Sequence, residues 1–505
     1  MGSEKFTARL GKKGAFPITP FYDIEAAQEP AEDLRRGLQI QQAHVVMLAE
    51  QSIIAMDNAR VLLQAILDLE RQSFRGFEID PTLGLHMSVE RYLVEKLGPD
   101  VAGTLNTGRS ANDLYPAHDR MLVRDRINRI VLALIELKQS LLDKAVDHID
   151  TVMPGYTHHS QHAQPITFGH YLMAGHDACC RDIQRLEQAY ERVNLSPMGG
   201  AALATTGFPI NRARVAELLA FDDIVVNSLD ATGHFDYFVE TTAAIAIALS
   251  NVGRLAEGLY LWNTLEFGMV EVADEYCSIS SIMPQKRNPV AFEMIRGEAI
   301  LVASRLNGML DILKAIPIGG GREWSYVPRL FPPCANTALG VLSTMMGIVS
   351  TLKVNKDVMA RRALEGFSTV TELADRIVRT TGRSFRQAHH IVGLLTLTAT
   401  RAGKKANEIT SKMVDIAAQE VIGRPLRLDD ATIKLALDPV ENVRIRSIIG
   451  GPSPEEVLRA INVGKGLVGY DRQRLAQRQG QLEEGTAKLA AAVKEIAGEV
   501  ARRSP

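Results

Sequence analysis

The segment Val239–Trp262 reads VETTAAIAIALSNVGRLAEGLYLW. Ala, Leu and Ile dominate it and it contains no proline, which favours a helix. Apolar residues occupy nearly all sides of that helix, whereas a surface helix keeps one polar face. We therefore predict a long helix within Phe235–Leu265 that is buried on all sides.

Three other segments predict helices of comparable length. Apolar residues of His118–Ile149 recur at steps of three and four, which indicates one face of a helix about 45 Å long. Phe168–Val193 and Pro289–Ile316 are also long and have no internal proline. One thin bundle cannot cover helices this long and apolar, so we expect a bundle that packs against copies of itself.

The chain has 505 residues, more than one hydrophobic core usually serves. Its aromatic content of 6% is low, which favours helices over strands. We predict an all-α fold of three domains: an N-terminal helical domain (1–113), a central long-helix bundle (114–365) and a C-terminal helical domain (366–505). The tail after Val468 is rich in Gln, Lys, Ala and Glu and predicts a polar surface helix.

Composition argues against several classes of partner. The net charge is −2, without the basic excess that nucleic acid or an anionic membrane surface attracts. No run approaches 18 uninterrupted apolar residues, and the N-terminus lacks the apolar core of a signal peptide. The four cysteines are typical of small apolar residues in a reducing compartment. We expect a cytoplasmic protein with no nucleic-acid or membrane partner.

Most of the Gly, Pro, His and Ser residues lie between the predicted helices. Loops held by a rigid scaffold often carry binding and catalytic groups. These loops are Thr104–Pro116, Pro154–Pro165, Ser196–Pro209, Asp274–Pro289 and Pro317–Pro333.

The fourth loop holds Ser280, Ser281, Lys286 and Asn288. Lys and Asn supply donors for a carboxylate, and a hydroxyl beside them acts as a base where its oxyanion is stabilised. By spacing alone, an ordinary polar loop before a helix is the simpler interpretation.

The segment SSIMPQKRNP, Ser280–Pro289, resembles the GSSxMPxKxNP signature of the fumarase/aspartase superfamily. Further motifs, in order over roughly residues 45–465, resemble its argininosuccinate lyase branch. They are LHMSVE (Leu85–Glu90), TLNTGRSAND (Thr104–Asp113), MPGYTHHSQHAQPITFGHYL (Met153–Leu172), GGAALATTGFPINR (Gly199–Arg212), NSLDATGHFDYFVE (Asn227–Glu240), GRSFRQAHHIVG (Gly382–Gly393) and GGPSPEEV (Gly450–Val457).

The resemblance implies a reversible carbon–nitrogen lyase that cleaves an N-substituted aspartate to fumarate and an amine. It implies a homotetramer whose active sites are each assembled from three subunits, with no metal and no organic cofactor. The base falls on Ser281, which removes a proton from the carbon beside the carboxylate distal to the C–N bond. Lys286 and Asn288 stabilise the resulting charge, and Ser280 and Met283 contact the substrate.

The acid is expected in the second loop, which departs from the family pattern. Members usually read GYTHxQxAQP, whereas this chain reads GYTHHSQHAQP, one residue longer. Counting back from AQP places the family histidine on His159 and its threonine on His158, while counting forward gives His158 and Thr157. We prefer the first count because AQP leads directly into a helix. Glu293 matches the carboxylate that pairs with this histidine.

Two more departures concern substrate binding. Ala111 stands where the branch has an arginine that helps to hold the dicarboxylate, leaving Ser110 and Asn112. Losing a bidentate cation weakens carboxylate binding. Arg109, which matches a family position of its own, is the candidate replacement.

The segment LKAIPIGGGREWSYVPR, Leu313–Arg329, forms the other departure. Argininosuccinate lyases carry a sequence like YNRDLQEDK here, whose Tyr, Gln and Lys receive the arginine part of the substrate. This chain has Gly320, Ser325 and Pro328 at those positions. The glycine triplet is expected to make room, since no GK[ST] phosphate-loop sequence follows it.

Trp324, Tyr326 and Arg329 are new in this segment. We expect a substrate with a second anionic arm beside Tyr326 and Arg329, such as ethylenediamine-N,N′-disuccinate or a similar aminopolycarboxylate. Argininosuccinate is the alternative substrate. A non-catalytic structural relative, of the kind this branch contributes to eye lenses, would not require Ser281 and Lys286, and an adenylosuccinate-type activity fits the outer motifs less well.

Overall fold

The computed structural model describes residues 30–80, 83–158 and 160–498, and helices dominate it. Eighteen α-helices lie in this part of the chain, which confirms the predicted all-α fold. They are α1 (Pro30–Glu50), α2 (Met56–Arg71), α3 (Gly84–Leu97), α4 (Pro99–Ala102), α5 (Ala111–Val146), α6 (Phe168–Val193), α7 (Arg212–Leu218), α8 (Ser228–Gly233), α9 (Asp236–Asn263), α10 (Val290–Leu313), α11 (Tyr326–Thr351), α12 (Lys356–Ala363), α13 (Val370–Thr381), α14 (Phe385–Arg401), α15 (Ser411–Ile422), α16 (Asp430–Leu437), α17 (Pro439–Arg444) and α18 (Pro454–Ala497).

Five long helices, α5, α6, α9, α10 and α11, pack against one another as the central bundle. The predicted helix Phe168–Val193 has the observed bounds of α6. Helix α5 begins seven residues before the predicted His118, because Ser110 caps it: the Ser110 N–H donates to the Asp113 carboxylate at 3.0 Å. Helix α11 begins at Tyr326 and contains Pro332 and Pro333, so the predicted loop to Pro333 is too long.

The chain buries one stripe of α9, not all sides of it as predicted. Residues such as Ile245, Leu249, Val252 and Leu259 face the core, while Ile247 on the opposite side is 42% exposed. The prediction followed from composition, which does not say how many neighbours a single chain supplies.

A β-hairpin replaces the predicted loop Pro154–Pro165. Strand β1 (Val152–Thr157) pairs antiparallel with β2 (Gln161–Thr167), so that Thr157 faces Gln161. At Gly155 a side chain would collide with the Gln164 carbonyl, so only glycine allows this pairing. The remaining strands have two residues each: β3 (Leu195–Ser196), β4 (Asp223–Ile224), β5 (Val270–Glu271), β6 (Ser278–Ile279), β7 (Arg287–Asn288) and β8 (Lys353–Val354).

Three main hydrophobic cores lie along the described chain. One fills the central bundle, one joins α1, α2 and α3, and one joins α13 to α16. The division at 113/114 and 365/366 stays a prediction, and the second core also includes Leu114, Ala117 and Met121 of α5.

Helix α18 packs against the first two cores and not against the third. Val457 and Leu475 pack in the central core, and Leu489 packs in the N-terminal core. The predicted polar surface helix after Val468 is confirmed, since most of its residues are exposed, but one stripe of it is buried. Even Arg478 is buried there, with its guanidinium 3.8 Å from the centre of the Tyr190 ring and paired with Glu187.

One stretch, Glu323–Thr351, is long and apolar enough to cross a membrane by length and composition alone. It contains α11, whose Phe331, Leu342 and Met345 lie in the central core. A core helix of a bundle passes the same test, so packing accounts for its apolar character.

Candidate active site

Two predicted loops meet beside the start of α5. The Asn112 Nδ2 donates to the Ala202 carbonyl at 3.1 Å. The buried Asp113 carboxylate accepts the N–H groups of Gly199 and Ala201 at 3.0 and 2.9 Å. These bonds hold the loop carrying Arg109, Ser110 and Asn112 against the loop after Ser196.

Helix α8 and the segment before α11 join the same group. Gly233 lies so close to Gly319 that a Cβ on Gly233 would come 2.9 Å from the Gly319 nitrogen. Trp324 stacks on Phe235, with ring centres 4.9 Å apart and planes within 4°. Since Phe235 directly precedes α9, this whole group of loops, called here the α9 start group, lies at the N-terminal end of α9.

Arg109 is the cation of the α9 start group. Its Nε and Nη2 donate to Asn106 Oδ1 at 3.0 and 2.8 Å, while its Nη1 is buried without a partner among the described residues. Burial lowers the pKa of Arg109 to about 10, so it stays charged at neutral pH. A cation with a buried, unsatisfied donor is suited to a carboxylate.

Two histidines not predicted as site residues lie close to Arg109. His44 Nε2 is 2.9 Å from the Thr107 carbonyl, and burial followed by the charge of Arg109 lowers the pKa of His44. Burial likewise lowers the pKa of His86, whose ring packs edge-on against Tyr115. In the sequence, the only indication of a functional role for His44 and His86 was that they are polar residues on otherwise apolar helices.

The hairpin carries the candidate acids at its tip. Thr157 and His158 are exposed, and His158 has a positive φ of 45°. His159 lies outside the described residues. The hairpin base is fixed by Tyr156, whose ring centre is 5.9 Å from that of Trp262. His162 Nδ1 also lies 3.2 Å from the Glu365 carbonyl.

The signature loop projects from a short ribbon formed by β6 and β7. Ser278 pairs with Asn288, and Arg287 clamps the ribbon through Glu271 and Asp274 at 3.0 and 2.6 Å. The chain leaves two large apolar residues here uncovered: Ile279, at the end of β6, and Ile282 of the loop are 90% and 82% exposed.

The two adjacent serines of this loop have different surroundings. Ser280 Oγ accepts the N–H groups of Met283 and Ile282 at 3.0 and 3.4 Å, which closes a turn. The side chains of Ser281 and Lys286 are exposed and make no hydrogen bond within the described chain. Ser280 is thus committed to the loop, whereas Ser281 is available for chemistry.

The last three predicted residues lie on helices α10 and α11. Glu293 is exposed in the first turn of α10. The Arg329 guanidinium lies 4.7 Å from the centre of the Tyr326 ring, which is 40% exposed. Before them, Gly319 and Gly320 have φ of 101° and 96°, a backbone reason for glycine in addition to the predicted need for room.

One chain does not bring all of these residues together. The hairpin contacts Trp262 at the end of α9, and Arg287 bonds to the Val272 carbonyl just beyond that end. Helix α9 has 28 residues and is therefore about 42 Å long. The α9 start group is separated by this length from the hairpin and the base of the signature loop.

One group of possible metal ligands was found in the described chain, and it lies on α6. It comprises His176, Asp177 and Cys180, with His176 Nδ1 3.0 Å from the Asp177 carboxylate. The carboxylate already engages the imidazole, and Cys180 is one of four free cysteines, of which Cys179 and Cys334 are buried.

Comparisons with known proteins identify the family of this chain. A family model described as lyase matches residues 30–303, and one described as argininosuccinate lyase C-terminal matches residues 367–444. The argininosuccinate lyase of Methanocaldococcus jannaschii is 40% identical over 448 residues, covering 88% of this chain and 90% of the relative. That of Methanothermobacter thermautotrophicus is 39% identical, covering 85% and 92%.

A solved structure extends the comparison. The crystal structure of EDDS (ethylenediamine-disuccinate) lyase in complex with formate is 36% identical, covers 96% of both chains and has a TM-score of 0.87. The chain thus belongs to the argininosuccinate lyase branch of the fumarase/aspartase superfamily and is a fumarate-forming carbon–nitrogen lyase.

Proposed function

We propose that Ser281 is the catalytic base and that each active site combines loops of different subunits. The observation that carries the proposal is the exposed Ser281 hydroxyl, uncommitted in a loop that also presents Lys286 and Asn288. The separation of the loop groups by about 42 Å along α9 supports a shared site, because a small dicarboxylate cannot span that distance. A homotetramer provides the necessary neighbours.

The proposed reaction begins at the succinyl carbon distal to nitrogen. Deprotonated Ser281 removes a proton there, and the electron pair spreads into the adjacent carboxylate as an aci-form. Lys286 and Asn288 offer donors to that charge. The pair then returns to form the fumarate double bond as the C–N bond breaks, and an acid on the hairpin protonates the leaving nitrogen.

His159 is the proposed acid, with Glu293 as its partner and His158 and Thr157 as substrate contacts. A protonated imidazole paired with a carboxylate keeps its proton at neutral pH and delivers it to an amine. Arg109, Ser110, Asn112, Ser280 and Met283 are proposed to surround the dicarboxylate part of the substrate.

For the amine part we propose an aminopolycarboxylate such as ethylenediamine-N,N′-disuccinate. Gly320 and Pro328 offer no side-chain donor or acceptor, and Ser325 is only 8% exposed. These positions therefore give little to a guanidinium group. Arg329 beside Tyr326 supplies a cation for a second carboxylate. The 36% identity with EDDS lyase supports this choice.

Argininosuccinate is the second candidate substrate. Relatives called argininosuccinate lyase reach 40% identity over most of the chain, slightly above the EDDS lyase value. The two candidates differ in the charge of the distal arm, which is positive in argininosuccinate and negative in ethylenediamine-disuccinate.

A comparison of the Ser281→Ala and Ser280→Ala variants tests whether Ser281 is the catalytic base. We expect Ser281→Ala to lower kcat by more than about a hundredfold with unchanged circular dichroism, because only a loop hydroxyl is removed. Ser280→Ala removes the turn bond and should act more weakly. A Ser281→Ala enzyme that keeps more than about a hundredth of the rate would remove Ser281 from this role.

Co-expression of Ser281→Ala with His159→Asn tests the shared site. If the two residues enter a site from different chains, random mixing restores about a quarter of wild-type sites. Absence of recovery in isolated mixed tetramers would contradict the arrangement.

Steady-state kinetics on the two candidate substrates identify the amine part of the substrate. We expect kcat/KM to be higher for ethylenediamine-disuccinate than for argininosuccinate. Arg329→Ala should cost about 2 kcal/mol on the former and little on an aspartate with a neutral amine substituent. Tyr326→Phe keeps the ring and serves as control. A higher kcat/KM for argininosuccinate would establish the second candidate instead.

A further inference from the structure

A basic cleft lies on the surface of the C-terminal helical region, between the start of α14 and the end of α15. It has a volume of about 460 Å³, within the range of small-molecule sites. Its polar lining consists of Arg383, Arg386, Gln387, His390 and Arg424, and two aliphatic residues of α15 complete it. No function proposed above uses this cleft.

The charge of the cleft is not balanced by its own chain. None of its lining residues is acidic, and Arg383, Arg386 and Arg424 make no ion pair within the described residues. Neighbouring arginines of the same region are paired, Arg444 with Glu441 at 2.7 Å and Arg379 with Glu372. Three unpaired guanidinium groups around one cleft repel one another, so an anion would stabilise them.

One donor of the cleft lining is also left without a partner in the described part of the chain. The Nε of Arg383 is buried and has no hydrogen-bond partner among the described residues. Buried donors are nearly always satisfied, and an unsatisfied one is commonly completed by a bound ion or water. Since guanidinium groups only donate, the missing partner must be an acceptor.

The backbone places these donors on fixed elements. Arg386, Gln387 and His390 lie within the first six residues of α14 and, at spacings of one, three and four, project from one side of it. That end of the helix carries partial positive charge. Gly423 ends α15 with a φ of 71° and directs the chain to Arg424. Ala388 and Ile391 pack with Val414 and Ala418 in the core below, so the cleft is formed without a ligand.

We propose that this cleft binds a small anion carrying at least two negative charges. Phosphate and carboxylate groups share the required chemistry, which is planar or tetrahedral oxygen acceptors that engage guanidinium groups bidentately. The mixed aliphatic and polar lining accommodates one small molecule rather than an extended polymer.

Isothermal titration of the full-length enzyme tests the proposal. The probes are inorganic phosphate, inorganic pyrophosphate and citrate, at an ionic strength held constant with sodium chloride. We expect one saturable site per chain for at least one probe, weakened about tenfold or more by Arg386→Gln and by Arg424→Gln. Selective binding of the phosphates or of citrate identifies the class of natural ligand.

The matched control is Arg401→Gln, which removes an exposed arginine at the other end of α14. It should leave binding unchanged, and circular dichroism should confirm that every variant folds. Arg386→Lys keeps the charge without the bidentate geometry and should bind with intermediate strength. The proposal is overturned if no probe gives saturable binding, or if Arg386→Gln and Arg424→Gln bind as well as Arg401→Gln.

Discussion

Helices α9 and α10 pack against each other and are both rich in apolar residues. They differ in how many of their residues are buried by the rest of the chain. Thirteen of the 28 residues of α9 are buried, against five of the 24 residues of α10. On α10, Met294, Ile300 and Leu310 are 61%, 70% and 49% exposed. Large apolar side chains are rarely left in water in such numbers along one helix.

The difference indicates that α9 is buried by its own chain, whereas α10 requires another molecule to bury it. Helix α9 receives much of its cover from α6, α10 and α11 of the same chain. Helix α10 presents an apolar side that only another molecule can cover. Because α10 follows the signature loop directly, an assembly through α10 would bring that loop to a neighbouring subunit. Assembly and catalysis are therefore expected to fail together.

The largest effect is expected from Ile300→Glu on the exposed side of α10. A carboxylate in an apolar subunit interface costs several kcal/mol, so the enzyme should dissociate and lose more than about 99% of its activity. Light scattering during gel filtration measures the mass. Ile416→Glu, at a 57% exposed isoleucine of α15, is the control and should remain assembled. An assembled, active Ile300→Glu enzyme would refute the role given to α10.

Leu249→Ala on α9 should have the next largest effect. Leu249 is fully buried by its own chain, so the loss should be about 3 kcal/mol in the free energy of unfolding. Urea denaturation at several protein concentrations measures it. Leu310→Ala on α10 should instead weaken assembly, and its effect should depend on concentration. If the two variants lost stability with the same dependence on protein concentration, the proposed difference between α9 and α10 would be contradicted.

Gly319→Ala tests the connection between α10 and α11. The φ of 101° at Gly319 is unfavourable for alanine and should cost about 1–3 kcal/mol. The same change affects the segment holding Tyr326 and Arg329, so KM should rise for substrates with a distal arm. Thermal unfolding and steady-state kinetics measure the two effects, and normal values for both would show that the turn tolerates a side chain.

Gly253→Ala and Gly297→Ala give the smallest and most direct comparison. A Cβ at either position meets no atom within 4 Å in the chain, and both glycines are helical. Alanine at Gly253 of α9 should stabilise by about 0.5–1 kcal/mol. At Gly297 of α10 a covering subunit would oppose the added methyl group and cancel the gain. Equal gains at both positions would mean that Gly297 faces water in the assembly.

Much of the fold was predictable because it depends on local pattern. Apolar spacing and long segments without proline located the long helices, and α6 was predicted with its observed bounds. The hairpin was missed because its pairing depends on Gly155 approaching the Gln164 carbonyl, a contact between residues nine apart. The burial of Arg478 was missed because its partners Glu187 and Tyr190 are nearly 300 residues away in sequence.

The candidate site divides in the same way. Its residue types and the signature loop could be recognised in the sequence, since a loop of a dozen residues carries most of the proposed chemistry. The different surroundings of Ser280 and Ser281 are visible only in the folded loop, because a hydroxyl's availability depends on which N–H groups face it.

By itself the sequence determined that the chain is helical and that it carries the lyase signature, and it predicts that the arginine-binding positions of the branch are replaced. These properties depend on side-chain chemistry and on periodicity within single segments. Only the tertiary structure decided that α10 is left uncovered and that the candidate site residues lie at opposite ends of α9. Both depend on how helices separated in sequence stack, because burial is a property of the neighbours that packing brings together.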